Sequence, residues 1–261
     1  VLTLAAVWNV ERDTMPAQME ERRDATPFRV ALREVWRERE ARRFTVFVFV
    51  SMLAYSAQDL ILEPFAGTVF GYTPGESTQL AGLQNGGVLT GMLLVALAGT
   101  FFKGSRAGAL RVWTIGGCIA SAAALFGLAL GGTAGASWPL RPWVFALGAA
   151  NGAFAVAAIG SMMALASAGR ASREGVRMGL WGAAQAIAFG VGGFAGTVAV
   201  DVVRHLLGAP VIAYVSVFAA EGALFLVAAW LAMRVSAPAA AGSQTRFPPA
   251  GDGLAAGLGR R

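Results

Sequence analysis

The stretch FTVFVFVSMLAYSAQDLILEPFAGTVFGYTPGESTQLAGLQNGGVLTGM, residues 44–92, decides the fold class. It contains the apolar segment 44–63 and the beginning of a second one, 78–102. Each segment is long enough to cross the roughly 30 Å hydrocarbon core of a bilayer as a helix. Four more apolar segments of this kind follow, at 110–131, 142–167, 177–200 and 211–234. The segments are continuously apolar rather than alternating, which favours helices over a β-barrel.

The residues between the first two segments predict how the chain turns. Thr73 fits a helix N-cap, Pro74 the first turn, and Glu76 the reciprocal position of a capping box, so Glu76 is interpreted as structural. Pro64 directly follows the first segment and should bend or end its helix. The sequence therefore predicts two spanning helices joined by a capped turn.

The composition agrees with a membrane protein. Hydrophobic residues make up 56% of the 261 residues and charged residues only 14%, whereas a soluble domain carries about 25% charge. The predicted fold is all-α and integral to the membrane, with a six-transmembrane-helix bundle over residues 44–235.

The basic residues predict the orientation. Nineteen of the 21 Lys and Arg lie in four segments, 1–43, 103–111, 168–177 and 234–261. The other two are Arg141 and Arg204, in the loops of the opposite side. By the positive-inside rule, residues 9–43 and the C-terminus are cytoplasmic. Because the basic residues flank apolar runs, the net charge of +6 is assigned to the membrane surface and not to nucleic acid.

The two flanking regions are predicted to differ from the bundle. Residues 1–8 resemble the end of a preceding transmembrane helix, and residues 9–43 a cytoplasmic loop. Within 27–43, apolar residues at helical spacing, including Trp36, predict an amphipathic helix on the membrane surface, with a solvated linker helix as the alternative. An ion pair from Glu38 to Arg42 would support this helix. The tail 236–261, rich in Ala, Gly and Pro, is predicted to be a disordered cytoplasmic segment.

Many glycines occur as pairs four residues apart within the predicted spans. Such pairs let helix backbones approach closely in lipid. The pairs are Gly82/Gly86, Gly87/Gly91, Gly127/Gly131, Gly148/Gly152 and Gly192/Gly196. One interpretation is packing within this polypeptide, and the other is a moving interface between helices.

Polar residues within the spans are the candidate functional groups, because ionisable side chains in a membrane are costly. Gln58, Asp59 and Glu63 form the densest group, and Tyr55, Asp59 and Glu63 share one helical face at four-residue spacing. They would carry a proton or contact a polar ligand. The alternative is a carboxylate bonded to neighbouring helices or close to external water.

The second span adds Gln84 and Asn85 beside two glycines. These amides would hydrogen-bond a ligand carbonyl or ligate a metal in a flat ring, or else cross-link helices. Weaker candidates are Asn151, Gln185, His205 and Glu221. An imidazole such as His205 is a good axial ligand for tetrapyrrole magnesium, but a solvated histidine is the competing interpretation. With one Cys and one His in the chain, no zinc or other metal-ion site is predicted.

Residues 44–92, together with PFRVALREVWRE at 27–38 and GLWGAAQAIAFGVGGFAGT at 179–197, resemble the PucC-type proteins of photosynthetic bacteria. These proteins form the bacteriochlorophyll-delivery branch of the major facilitator superfamily. The resemblance covers residues 27–235 and implies the C-terminal half of a twelve-helix fold, so that the N-terminal half of the same protein would be a partner. Lys103 departs from the common facilitator pattern, which has Asp at that place.

The resemblance implies a membrane assembly factor that delivers or handles bacteriochlorophyll while light-harvesting antenna complexes are assembled. Its partners would be the antenna alpha and beta polypeptides, bacteriochlorophyll and membrane lipid. Its place would be the bacterial inner, intracytoplasmic photosynthetic membrane. No nucleophile–base pair is evident, so an enzyme is not predicted. The alternative is a proton-coupled transporter of a small solute, with Asp59 or Glu221 as the proton carrier.

Overall fold

The computed structural model describes residues 28–101, 106–167 and 174–235. These residues form seven α-helices and one 3₁₀ turn, Gly135–Ser137, with no strand among them. The short first helix is α1, Phe28–Arg37. The six long helices are α2 (Arg39–Phe70), α3 (Pro74–Phe101), α4 (Arg106–Ala134), α5 (Leu140–Ser167), α6 (Glu174–Leu207) and α7 (Pro210–Arg234).

Six helices are long and apolar enough to cross a membrane, which confirms the six predicted spans and the all-α membrane bundle. Most of them are longer than predicted. The largest difference is at Pro64, where α2 does not end but continues to Phe70. Proline removes one backbone hydrogen bond, whereas ending a helix in lipid would leave several backbone groups unpaired. The prediction that Pro64 could end the helix is therefore wrong.

The long helices pack as two parallel pairs held together by antiparallel neighbours. In the α3–α5 pair, Gly87 faces Phe145 and Gly91 faces Ala149, and the residue numbers rise together. The α2–α6 pair is also parallel, because Gly192 lies against Leu53 and Gly196 against Ala57. Helices α4 and α7 lie between these pairs, each packing on the other, with α4 also on α5 and α7 also on α2.

The first three long helices, α2, α3 and α4, pack in the same pattern as the last three, α5, α6 and α7, when each helix is replaced by its counterpart in the other set. The α3–α5 contact becomes the α6–α2 contact, the α4–α5 contact becomes the α7–α2 contact, and the α4–α7 contact maps onto itself. Because each set crosses the bilayer three times, the two sets begin on opposite sides. The bundle is therefore organised as two inverted repeats of three helices.

Four of the five glycine pairs named above make close contacts inside the bundle. A methyl group added at Gly91 would lie 1.9 Å from the carbonyl oxygen of Ala149, and one at Gly152 would lie 2.0 Å from that of Val88. The backbones of α3 and α5 therefore touch, which only glycine permits. Gly82 and Gly86 have nothing within 4 Å of the same position, so this pair does not pack on a described residue.

The basic ends of several helices meet at one end of the bundle. Arg43 donates from Nη1 to the carbonyl of Arg234 at 3.3 Å, and Arg111 donates to the carbonyl of Met233. Both guanidinium groups thus satisfy terminal carbonyls of α7 and complement the negative end of its dipole. The starts of α2 and α4 and the end of α7 are therefore neighbours.

Arg177 binds the terminal carbonyls of α5 in the same way. Its Nη1 lies 3.4 Å from the carbonyl oxygens of both Leu165 and Ala166. Its Nη2 forms an ion pair with Glu38, so the predicted partner of Glu38, Arg42, is replaced by a residue from another helix. The described arginines of the four segments that the sequence assigned to one side, Arg43, Arg111, Arg177 and Arg234, therefore lie at one end of the bundle.

Helix α1 covers residues 28–37 of the predicted surface helix, whereas residues 39–43 belong to α2. Ala31 and Val35 are buried, and α1 packs against α2 and α6. Trp36 is 45% exposed. Much of the apolar face therefore covers the end of the bundle, and Trp36 is the part directed outward. The predictions for residues 1–8, for most of 9–43 and for 236–261 lie outside the described residues.

Candidate ligand site

Asp59 on α2 and Gln84 on α3 are in contact. The Gln84 amide donates from Nε2 to Oδ1 of Asp59 at 3.4 Å. Asp59 is exposed and Gln84 is half-buried. One hydrogen bond thus connects the polar group predicted on the first span with the polar group predicted on the second.

The turn between α2 and α3 explains how these residues meet. Gly71 ends α2 in the left-handed region, with φ of 71°, and its N–H donates to the carbonyl of Gly67 at 3.2 Å, as in an αL C-cap motif. The next helix then starts with the predicted capping box. The Thr73 N–H donates to Oε2 of Glu76 at 2.9 Å, and the Glu76 N–H donates to Oγ1 of Thr73 at 3.4 Å. The structural interpretation of Glu76 agrees with these bonds.

Glu63 and Asn85 extend this polar surface, and both are exposed. We call Asp59, Glu63, Gln84 and Asn85 the Asp59 patch. One turn before Asp59, the half-buried ring of Tyr55 packs on Phe189 of α6, with 5.8 Å between the ring centroids. The face of α2 that carries Tyr55 and Asp59 is therefore bounded by α3 on one side and α6 on the other.

Gln58 does not belong to the Asp59 patch, although the sequence grouped it with Asp59. It is completely buried, and neither atom of its amide has a hydrogen-bond partner among the described residues. Consecutive residues on a helix point about 100° apart, which turns Gln58 inward when Asp59 faces outward.

Two of the weaker candidates also lie inside the bundle. Asn151 is completely buried and accepts a hydrogen bond from Ser121 at 2.8 Å, which links α5 to α4. Glu221 is 3% exposed, and its two carboxylate oxygens have no partner among the described residues. Ser121 was missed by the sequence analysis, because a serine in an apolar run gives no signal of its own.

The remaining weaker candidates are on α6. Gln185 is half-buried midway along the helix, and His205 is exposed in the last turn. Nearby, Arg204 pairs with Asp201 at 2.8 Å. His205 is thus a surface residue at the end of the bundle opposite the arginine contacts, and it does not join the Asp59 patch.

The chemistry of the Asp59 patch is that of hydrogen bonding. Two carboxylates and two amides offer oxygen acceptors and N–H donors on an outward-facing surface. Among the described residues, no three His, Cys, Asp or Glu side chains are grouped so that they could hold a metal ion. The patch can orient a ligand that presents carbonyl or hydroxyl groups at the edge of an apolar body.

The bundle also contains a cavity, partly open at its surface, that the sequence analysis did not identify. It has a volume of about 340 Å³, lies between α2, α6 and α7, and is lined by Glu221 together with small residues such as Gly192, Gly196 and Ala220. A mid-helix acid opposite a run of small residues on another helix is the signal that could have revealed it.

Most of this chain is similar in sequence to known proteins. A family model for the PUCC protein matches residues 1–240. The "Bacteriochlorophyll synthase 44.5 kDa chain" of Rhodobacter capsulatus is 52% identical over 246 residues, covering 91% of this chain and 54% of that protein. "Protein PucC" of Cereibacter sphaeroides is 32% identical over 208 residues, covering 73% of this chain and 42% of that protein.

The comparisons also show how much of each relative's length this chain covers. It spans about half the length of the curated relatives that it matches. No solved structure gives a significant match. Since the family model extends over most of the sequence, and the described part of that sequence is a six-helix membrane bundle, the chain belongs to the PUCC protein family.

Proposed function

We propose that this protein is a multi-pass membrane assembly factor that handles bacteriochlorophyll while light-harvesting antenna complexes are built. The observation that carries the proposal is the 52% identity to a protein whose name refers to bacteriochlorophyll synthesis, within a family named after PucC. The partners would be bacteriochlorophyll, membrane lipid and the antenna alpha and beta polypeptides.

The Asp59 patch supports this proposal by its position. Bacteriochlorophyll is a flat, largely apolar molecule with polar groups at its edge, and it moves within the membrane. A ligand of this kind needs a site that is open at the bundle surface and supplies a few hydrogen bonds. Asp59 and Gln84 would supply them, while Tyr55 and Phe189 would offer aromatic surface nearby.

We propose that the role is not catalytic. The exposed polar groups of the patch are carboxylates and amides, and the thiol of Cys118 is completely buried elsewhere in the bundle. General acid–base or nucleophilic chemistry needs paired groups within hydrogen-bond reach of the substrate. The Asp59–Gln84 pair is suited to orienting a ligand instead.

We also propose that the bundle is half of a major-facilitator-type fold of twelve helices. The inverted repeat of three helices supports this, as does the twofold length of the relatives. The other half of the natural protein would then be the main partner of the bundle. A proton-coupled transporter is the second candidate function, and the buried, unpartnered carboxyl of Glu221 favours it.

We place the protein in the bacterial inner, intracytoplasmic photosynthetic membrane with its basic end in the cytoplasm. The clustering of Arg43, Arg111 and Arg177 at one end supports a single cytoplasmic face. In a Cys118→Ser background, Ser105→Cys and Ser172→Cys should react with a membrane-impermeant maleimide only after the cells are opened. Labelling in intact cells would reverse the orientation.

The function is tested on the natural protein purified from pigmented membranes in mild detergent. The proposal predicts bacteriochlorophyll in its absorption spectrum, and less pigment per chain in Asp59→Ala. The transporter alternative predicts instead that the protein drives proton-dependent solute uptake in pigment-free vesicles and carries no pigment. A protein that forms bacteriochlorophyll from a precursor would contradict the non-catalytic role.

A further inference from the structure

The cavity between α2, α6 and α7 contains an ionisable group that the packing leaves without a partner. Glu221 stands about midway along α7 and lines the cavity with 3% exposure. Its carboxylate oxygens have no hydrogen-bond partner among the described residues. Buried polar groups are normally satisfied, so an unsatisfied one calls for an explanation, and a bound molecule that donates a hydrogen bond would supply it.

The rest of the lining is apolar and mostly small. Gly192, Gly196 and Ala199 come from α6, and Ala57 comes from α2. Ser216 is the other polar residue of the lining, and its hydroxyl donates to the carbonyl of Ala213 at 2.8 Å. Glu221 is thus the described lining residue whose side chain has no hydrogen-bond partner, whereas the Ser216 hydroxyl already donates within its own helix. The 340 Å³ volume corresponds to about eleven molecules of liquid water.

The cavity opens sideways. Ala195 on α6 and Ala220 on α7 both line it, and both are exposed on the outer surface of the bundle. Because Glu221 lies near the middle of a spanning helix, this opening lies at the depth of the hydrocarbon core of the bilayer. A molecule that enters here must be soluble in the membrane.

We propose that this cavity is a binding site for a slender, uncharged, membrane-soluble molecule that bears a hydroxyl group. Its apolar chain lies against the small residues of α6, and its hydroxyl donates to the carboxyl of Glu221. A charged amine would also pair with a carboxylate, but entry through hydrocarbon favours an uncharged molecule. The proposal holds whether or not the Asp59 patch handles pigment.

Photolabelling of the natural protein in membrane vesicles tests this site. The probe is a long-chain alcohol with a diazirine in its chain, and the matching alkane without the hydroxyl is its control. The alcohol should label the peptides of α6 and α7 around Ala195 and Ala220 about fivefold more than the alkane, because one net hydrogen bond is worth about that factor. Equal labelling by the two probes would overturn the proposal.

Variants distinguish labelling by a probe bound in the cavity from labelling by a probe in general contact with the helix surface. Ala220→Phe fills the opening, so the alcohol can no longer reach Glu221. Its labelling should fall about fivefold, to the level of the alkane, because the one hydrogen bond is lost. Ala223→Phe adds the same bulk to an exposed position of α7 that does not line the cavity, and labelling should be unchanged. If Ala220→Phe does not reach the membrane, Ala195→Phe closes the same opening from α6. Equal labelling in the blocked and control variants contradicts the site.

The nature of the contact is tested at Glu221 itself. Glu221→Gln keeps a carbonyl acceptor and should retain alcohol labelling, whereas Glu221→Leu should reduce it to the alkane level. Loss of labelling in both variants would contradict the proposed contact, because the carbonyl that Glu221→Gln keeps accepts a hydrogen bond from an alcohol. Extracts of wild-type protein from pigmented and pigment-free membranes then identify the source. A hydroxylated molecule found in both is a membrane lipid, and one found only in the first is a pigment.

Discussion

Helix α3 carries two glycine pairs with the same four-residue spacing, and the two pairs lie on different faces. Gly87 and Gly91 press against the backbone of α5, whereas Gly82 and Gly86 have nothing within 4 Å. The inner face is a packing surface with no room for a methyl group. Exposed Asn85 lies beside the outer face, whereas the backbone of Gln84 lies against Gly148 of α5. One sequence pattern thus serves two purposes, and only the neighbouring helix tells them apart.

The largest expected effect comes from substitution on the inner face. Gly91→Leu would place a side chain where even a methyl group lies 1.9 Å from the Ala149 carbonyl oxygen. Overpacking costs about 1–3 kcal/mol where side chains can adjust, and here the obstacle is backbone. We expect the amount of folded protein to fall about tenfold or more, as measured by size-exclusion chromatography of solubilised membranes.

Gly86→Leu is the matched control on the outer face. A methyl group added there has no described residue within 4 Å. We therefore expect the free energy of unfolding to stay within about 0.5 kcal/mol of wild type, as for other surface changes. If Gly86→Leu lowers the protein level as far as Gly91→Leu, the distinction between the two faces is wrong.

The next largest effect should come from the buried ion pair at the basic end. Arg177 is 8% exposed and binds Glu38 and two carbonyls, whereas Arg204 pairs with Asp201 at the surface. Arg177→Ala should lower the free energy of unfolding by about 1.5–3 kcal/mol, the range for hydrogen bonds to charged groups. Arg204→Ala should lower it by less than about 1 kcal/mol. Thermal unfolding in detergent measures both, and equal losses would contradict the buried role of Arg177.

A smaller effect is expected at the hydrogen bond between Ser121 and Asn151. Such bonds between membrane helices average about 0.6 kcal/mol, because the unfolded protein in lipid also finds partners. Ser121→Ala should therefore shift the unfolding temperature only slightly. A large shift would mean that the pair belongs to a wider polar network inside the bundle.

The sequence was sufficient for the six spans and for the grouping of the basic segments, because both depend on hydrophobic length and charge distribution alone. It was insufficient wherever the neighbour of a face decides the outcome. Gln58 and Asp59 are adjacent in sequence, yet one is buried and the other exposed. The extension of α2 past Pro64 and the pairing of Glu38 with Arg177 likewise depend on the assembled bundle.

The same limit applies to the acidic candidates. Asp59 and Glu221 both interrupt apolar runs, and the sequence does not show which of them faces outward. In the structure Asp59 bonds Gln84 on an outward face, whereas Glu221 lines a cavity with no partner among the described residues. One carboxylate is thus exposed at the surface, and the other lines a cavity within the bundle.

The central claim is that the outward Asp59 patch acts on pigment and is not needed for packing. Removal of Asp59 or of the Gln84 and Asn85 amides costs the bundle little, about 0.6 kcal/mol per interhelical hydrogen bond. A hydrogen bond between the Asp59 carboxylate and a ligand is worth about 1.5–3 kcal/mol, so pigment binding should weaken about tenfold or more in Asp59→Ala.

The most direct measurement is antenna absorbance per unit of this protein in isolated photosynthetic membranes. It compares wild type with Asp59→Ala and with the double variant Gln84→Leu/Asn85→Leu, while Gly91→Leu serves as the packing-defect control. We predict that the ratio falls in both patch variants at a nearly normal protein level, whereas Gly91→Leu lowers absorbance and protein together. An unchanged ratio in both patch variants would contradict the claim.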